Sequence, residues 1–249
     1  MDETATAITR DRILGGRLTL AQPAKGYRAG LDAALLAAAC DAKPGERVLE
    51  AGCGVGAVFL AAAARRPQTF FVGIERDDEA LALAKANIAE NGLGDRVEAL
   101  SGEVADGTAK IGAPFDAALC NPPFFDDPAS LRAPHPAKRG AFMAEDGLGA
   151  WADFLLAAVR DGGSVTVIHR ADRLADLLAL LGAKAGSFQI RPVHPHADAP
   201  AGRVIVRAVR GGRAPLRLLP PLILHVRGGP KHTDEAEAIL RGEADLPWL

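Results

Sequence analysis

Asn121-Pro122-Pro123-Phe124 is the segment of this chain whose residue types most narrowly define a chemistry. An amino group conjugated to a base or an amide is a poor nucleophile, because its lone pair is delocalised. The side-chain oxygen of Asn121 and the backbone carbonyl of Pro122 can each accept one of its two hydrogens. That turns the lone pair toward an electrophile and stabilises the positive charge growing on nitrogen. The prolines hold the carbonyl rigidly, which is preorganisation rather than acid–base work. Phe124 offers a face for a planar target. No strong general base is required, since the alkylated cation loses its proton readily. Asn-Pro and Pro-Pro are also ordinary turn dipeptides, but a plain turn needs neither the second proline nor the aromatic tip.

A second segment, Glu50-Ala51-Gly52-Cys53-Gly54-Val55-Gly56-Ala57, suits a nucleotide-like ligand. Glycines between a strand and a helix let the backbone approach a ligand closely, and the helix presents unpaired amides. Gly52, Gly54 and Ala57 satisfy the dinucleotide pattern G-x-G-x-x-G/A, so a nicotinamide or flavin site is one reading. A tight turn that binds nothing is another. Glu50 tilts the choice toward S-adenosylmethionine, because a carboxylate there suits a methionine ammonium and repels a pyrophosphate. Glu75, closing the next strand, is placed to accept from both ribose hydroxyls, although dinucleotide enzymes also use an acid there. Glu103 is a candidate partner for the adenine amino group, with Asp106 close by as a substitute.

The elements that must carry these residues alternate. Residues 11–22 read as a hairpin around Gly15-Gly16, and residues 31–40 as a helix. Strands are expected at 47–50, 70–74, 96–100, 115–120 and 164–168, and helices at 58–65, 77–90, 151–159 and 172–181. Residues 126–146 read as a long loop. This rhythm predicts an α/β fold with a mostly parallel sheet and helices on both faces. Segments 187–193 and 203–209 have no helix between them, which predicts an antiparallel pair at the sheet edge. The expectation is one domain over 1–249: a hairpin and helix in 1–40, the cofactor-binding core in 41–183, and the edge pair with a basic part in 184–249.

Composition excludes several classes. The 249 residues are 49% hydrophobic, which is globular, and the formal net charge of −2 gives no overall pull toward nucleic acid. Three cysteines, Cys40, Cys53 and Cys120, match neither a disulfide framework nor a zinc pattern. His194, His196 and His225 lack the thiolates or carboxylates of a metal site, so no metal is expected. The N-terminus lacks a secretory pattern and no segment looks like a membrane anchor, so a cytoplasmic location without a membrane partner is expected.

The glycine loop, the acidic strand end and the tetrad together resemble the amino-methyltransferases that act on adenine, guanine or glutamine amides. The runs Gln22-Pro23 and Gly26-Tyr27-Arg28-Ala29-Gly30-Leu31-Asp32-Ala33 narrow this, as do Phe125, Gly229-Pro230 and Thr233-Asp234-Glu235-Ala236. With them the chain is similar to the bacterial tRNA1(Val) adenine-N(6)-methyltransferase family over nearly its whole length. That resemblance implies a Rossmann-like class I fold with a seven-stranded sheet. It implies S-adenosylmethionine as cofactor and methyl transfer to the exocyclic amine of an adenine in RNA, with a tRNA as partner. By position, Tyr27, Arg28 and Asp32 would close over the cofactor, joining Glu50, Gly52, Gly54, Gly56, Glu75, Glu103 and Asn121. Asn121, Pro122 and Phe124 would carry the catalysis. Phe124 stands where the family often has tyrosine, and the basic loop after the tetrad matches poorly.

Between Lys184 and Lys231 nine Lys/Arg residues stand against one acid, Asp198. Such a stripe is a candidate phosphate footprint, with Arg203 and Arg207 as contacts and Arg132, Lys138 and Arg139 beside the tetrad. Solvated faces of edge strands are the plainer reading. A glutamine amide in a protein, a guanine amino group in rRNA, a dinucleotide oxidoreductase and a non-catalytic nucleotide-binding module stand as alternatives.

Overall fold

The chain was analysed as a computed structural model that describes residues 7–25, 28–109, 111–123 and 147–248. The expected loop over 126–146 and the candidates Tyr27, Phe124, Arg132, Lys138 and Arg139 lie outside the described residues.

The N-terminal hairpin forms as the sequence predicts. Strands β1 (Ile8–Ile13) and β2 (Leu18–Pro23) pair antiparallel, from Ile8 opposite Pro23 to Ile13 opposite Leu18. Helix α1 (Leu31–Ala38) follows. The alternating core then runs β3 (Arg47–Ala51), α2 (Ala57–Arg65), β4 (Phe70–Glu75), α3 (Asp78–Glu90), β5 (Val97–Ser101) and β6 (Phe115–Cys120). Beyond it come α4 (Gly147–Ala158), β7 (Val159–Arg170), α5 (Leu174–Gly182), β8 (Ala185–His194) and β9 (Arg203–Arg210). Two-residue strands β10 (Arg217–Leu218) and β11 (Leu222–Ile223) and helix α6 (Asp234–Arg241) complete the order.

Among the described residues the main sheet has nine strands, in the order β10-β8-β9-β7-β6-β3-β4-β5, with β11 also on β8. Seven were expected; β10 and β11, which extend the edge in parallel with β8, are the addition. The antiparallel element is β9, wedged between β7 and β8. Its reversal follows from the short chain between His194 and Arg203, which leaves no room for a crossover helix.

Burial on both faces shows in successive residues. On β3, Val48 packs into the core under α1, α2 and α3, while Leu49 packs into the core under α4 and α5. This is the period of two expected of a strand covered on both sides.

Helix α3 shows why local sequence suffices for some boundaries. Asp77 caps it by accepting from the Ala80 amide at 2.8 Å, and Asp78 and Glu79 lie in its first turn, where the helix dipole favours acids. Gly92, at φ +64°, closes it, with Leu93 donating to Ile88 O at 3.0 Å and Gly92 to Ala89 O at 3.1 Å. Two asparagines one turn apart then weld α3 to the hairpin. Asn91 Oδ1 accepts from Thr19 N at 2.9 Å and Asn87 Oδ1 from Ala21 N at 2.8 Å. Asn87 Nδ2 donates to both Ala21 O and Val55 O at 2.9 Å, so the same side chain also anchors the glycine loop.

Candidate active site

The site grows from the register of three parallel strands. Ala51 at the end of β3 pairs with Ile74 near the end of β4 and with Cys120 at the end of β6. Gly52 and Asn121 are the next residues along their strands, so the glycine loop and the Asn-Pro-Pro segment open from one edge. Crevices at the carboxyl ends of such strands are where open α/β sheets bind ligands.

Within the glycine loop, Gly52 at φ +67° faces Trp151 of α4 so closely that an added Cβ would lie 2.6 Å from its ring. Gly54 at φ +56° has open space where a Cβ would project. The loop is thus a strand-to-helix turn whose backbone is open to close approach at Gly54, which is what a backbone-hugging ligand requires.

Two carboxylates brace it from below. Glu50 is buried, and its Oε2 accepts from Phe59 N, in the first turn of α2, at 2.8 Å. Burial drives its pKa well above the usual carboxylate range, and the nearby charge of Glu75 raises it further against the pull of the Phe59 amide. No basic side chain among the described residues counters that charge. Glu75 Oε2 accepts from Gly54 N at 2.8 Å, and Oε1 from Arg76 N and Asp77 N, both at 2.9 Å. Cys53 and Cys120 are buried beside these acids, and burial together with the Glu50 charge pushes both thiols up, so neither supplies a nucleophilic thiolate. The residues fit S-adenosylmethionine: a glycine backbone at Gly54 with space for close approach, the Glu75 carboxylate closing β4, and the buried Glu50 with no described basic partner for an ammonium to match.

The other candidates are placed as follows. Pro122 is buried and Asn121 half-buried. Glu103 pairs with Arg76 at 3.2 Å on the surface beside β4 and β5. Arg28 is drawn to the hairpin, bonding Asp11 Oδ2 at 2.6 Å and both Thr9 Oγ1 and Pro23 O at 2.8 Å. Asp32 accepts from Arg203 Nε at 3.0 Å.

At least five of the nine cations in the basic stripe are engaged within the fold, Arg203 with Asp32 among them. Arg207 pairs with Asp41 at 2.9 Å, Arg210 with Asp161 at 2.9 Å, and Arg227 with Asp198 at 3.0 Å. Arg191 is buried, donating to Pro220 O and Pro247 O at 3.0 and 2.6 Å. Asp41 and Asp161 lie outside the stripe, which is why a window of sequence missed them; Asp198 lies within it. Trp151, Asn87 and Asn91 were missed as well. A spacing of four between the asparagines on one helix was the available signal; for Trp151 there was none.

The fold is that of the class I S-adenosylmethionine-dependent methyltransferases, with α/β layers and the antiparallel strand near one edge. Residues 28–134 match the family model of the methyltransferase small domain. The solved structure of a predicted O-methyltransferase from Agrobacterium tumefaciens superposes with a TM-score of 0.72 at 26% identity, over 86% of this chain and 98% of that one. A tRNA1(Val) (adenine(37)-N6)-methyltransferase from Porphyromonas gingivalis is 36% identical over 125 residues, 47% of this chain and 48% of that protein. A release factor glutamine methyltransferase from Caulobacter vibrioides is 31% identical over 158 residues, 59% and 52% of the two chains. The chain thus spans about half the length of these curated relatives. No described helix is long and apolar enough to cross a membrane, and no described group of three or more His, Cys, Asp or Glu is placed to hold a metal.

Proposed function

We propose that this protein transfers a methyl group to the exocyclic amino group of an adenine in RNA, with a tRNA as the substrate class. The observation that carries the reading is the register of Ala51 with Cys120, which opens the Asn-Pro-Pro segment and the glycine loop onto one crevice. When bound, S-adenosylmethionine supplies an electrophilic methyl group and leaves as a thioether.

The chain's own residues position the partners. Glu50 meets the ammonium of the methionine moiety, Glu75 accepts from the ribose hydroxyls, and Glu103 reaches the adenine edge. Asn121 and the Pro122 carbonyl accept the two hydrogens of the target amine, and Phe124 stacks on its ring. The adenine must be unpaired or flipped to reach them. Its proton leaves to solvent after transfer, so no base is needed.

The test is methyl transfer from labelled cofactor to total RNA of a strain lacking this gene, followed by digestion to nucleosides. Labelled N6-methyladenosine is expected. A protein glutamine amide is the second reading, favoured by the glutamine methyltransferase among the relatives and by the pairing of the arginines. Label in protein but not in RNA would decide for it.

A further inference from the structure

A cavity of about 420 Å³ opens beside the crevice; its rim holds Arg28 and Asp32, which the resemblance set over the cofactor, but the proposed function gives it no role. Its apolar wall comes from Val193, Pro195 and Leu224, and its polar rim from Arg28, Asp32 and Arg203. Val193 belongs to the C-terminal end of β8, and Arg203 begins β9. Because β9 runs antiparallel, its first residues lie at the same edge of the sheet where β6 and β7 end. Arg170, the last residue of β7, pairs with Arg203. Only β7 separates β6 from β9, so the cavity is offset from the Asn121 strand by two strand spacings, roughly 10 Å. Asn121, Pro122 and Pro123 are not among its walls.

Its charge points to the kind of ligand. Arg203 meets Asp32 at 3.0 Å, and Arg28 meets Asp11 at 2.6 Å. Two guanidinium groups are balanced by two carboxylates, so a phosphate entering here would have to break one pair and repel the released acid. An uncharged planar group does neither. It lays its apolar face on the aliphatic wall and stacks against guanidinium planes. Asp32, an acceptor only, suits an edge that carries N–H donors. The volume lies at the small end of the ~300–1,000 Å³ range of ligand pockets, with room for a single nucleoside.

We infer that this cavity receives the base of a nucleotide neighbouring the target adenine, splayed out of its stack, and so sets which RNA sequence is methylated. Splayed bases held on aromatic or guanidinium faces are how proteins read single-stranded RNA. The inference rests on the RNA reading above and adds to it a second base-binding position.

Gly202 supplies a probe that leaves the packing alone. It lines the cavity, its φ lies outside the left-handed region, and an added Cβ would meet no atom within 4 Å. Gly202→Leu therefore adds a side chain whose Cβ meets no neighbour and whose bulk occupies the cavity. The substrates are short single-stranded RNAs carrying the mapped adenine, intact or with one abasic nucleotide on either side. With the wild type, one abasic position is expected to raise KM about tenfold, the scale of losing one stacked base. Gly202→Leu should raise KM of the intact RNA by a similar factor and abolish the abasic penalty. Its kcat should stay within about twofold and its S-adenosylmethionine affinity should not change. A wild type indifferent to every abasic position overturns the inference even if the variant misfolds. A variant that loses cofactor affinity also overturns it, assigning the cavity to the cofactor instead. Should the wild type methylate no RNA at all, the functional reading falls first and this one with it; RNA methylation without an abasic penalty removes this one alone.

Discussion

The two halves of the sheet's active edge treat charge in opposite ways. At the ends of β3 and β4, Glu50 and Glu75 sit close together, with Glu50 buried and no described base beside it. At the ends of β7 and β8 and the start of β9, Arg203 answers Asp32 and Arg227 answers Asp198, and farther along β9 Arg207 answers Asp41. A buried unmatched charge is costly, so a fold retains one where a ligand supplies the partner. Matched pairs leave a surface that discriminates by shape and hydrogen bonding. On the proposed function the glycine side holds a cation-bearing cofactor, and on the further inference the arginine side takes the uncharged base beside the target.

The sharpest way to break this comparison lies between the halves, at Asn121. Asn121→Ala removes one oriented acceptor from the target amine. By analogy with loss of an oxyanion-hole donor, turnover should fall by about two to three orders of magnitude. Cofactor affinity, measured by calorimetry, should hardly move, because the glycine side remains intact. Unchanged turnover would mean that the Asn-Pro-Pro segment is only a turn.

Glu50→Gln probes the unmatched charge itself. The folded-state pKa of Glu50 is raised, so the stability it lends is fully present below its unfolded pKa and is lost as pH rises through the folded value. Glutamine imitates the protonated form and keeps an acceptor for the Phe59 amide. Without cofactor, the variant should therefore melt higher than the wild type at pH 8, and the gap should narrow toward pH 5. S-adenosylmethionine affinity should meanwhile drop by about ten- to a hundredfold, the worth of a hydrogen bond to a charged group. A variant that is both less stable and equally tight in binding would show that Glu50 serves only to cap α2.

These halves also differ in how far they could be read from sequence. The glycine loop, Glu50, Glu75 and Asn121 are fixed in place by strand ends and turns, so short windows of residues locate them. The same holds for α3, whose Asp77 cap and Gly92 stop are local. The arginine side depends on partners far along the chain: Asp32 lies 171 residues from Arg203. A composition count sees nine cations there and cannot see the acids that fold back on them. Helix α6 escaped for a different reason. Its Thr233 cap and acidic first turn are plain signals, but the helix is only eight residues long and buries only Ala236 and Ile239. The strands β10 and β11, two residues each, are held by β8 rather than by their own propensity.

The smallest expected effect is the most direct check on the arginine side. Arg207 Nη2 lies 2.9 Å from Asp41 Oδ2, with its own side chain 19% exposed and that of Asp41 38% exposed. Arg207→Met keeps most of the aliphatic length and removes the charge. Asp41 is open enough to rehydrate, so the loss should be about 1 kcal/mol or less, visible as a small drop in Tm. If Arg207 is spent on Asp41, KM for RNA should stay within about twofold. The dependence of log KM on log salt should then keep its slope. If Arg207 instead grips a phosphate in the complex, that slope should shrink by roughly 0.7 to 0.9, the contribution of one contact. The second outcome would mean that the pair opens on binding. The arginines of β9 would then be a latent phosphate footprint.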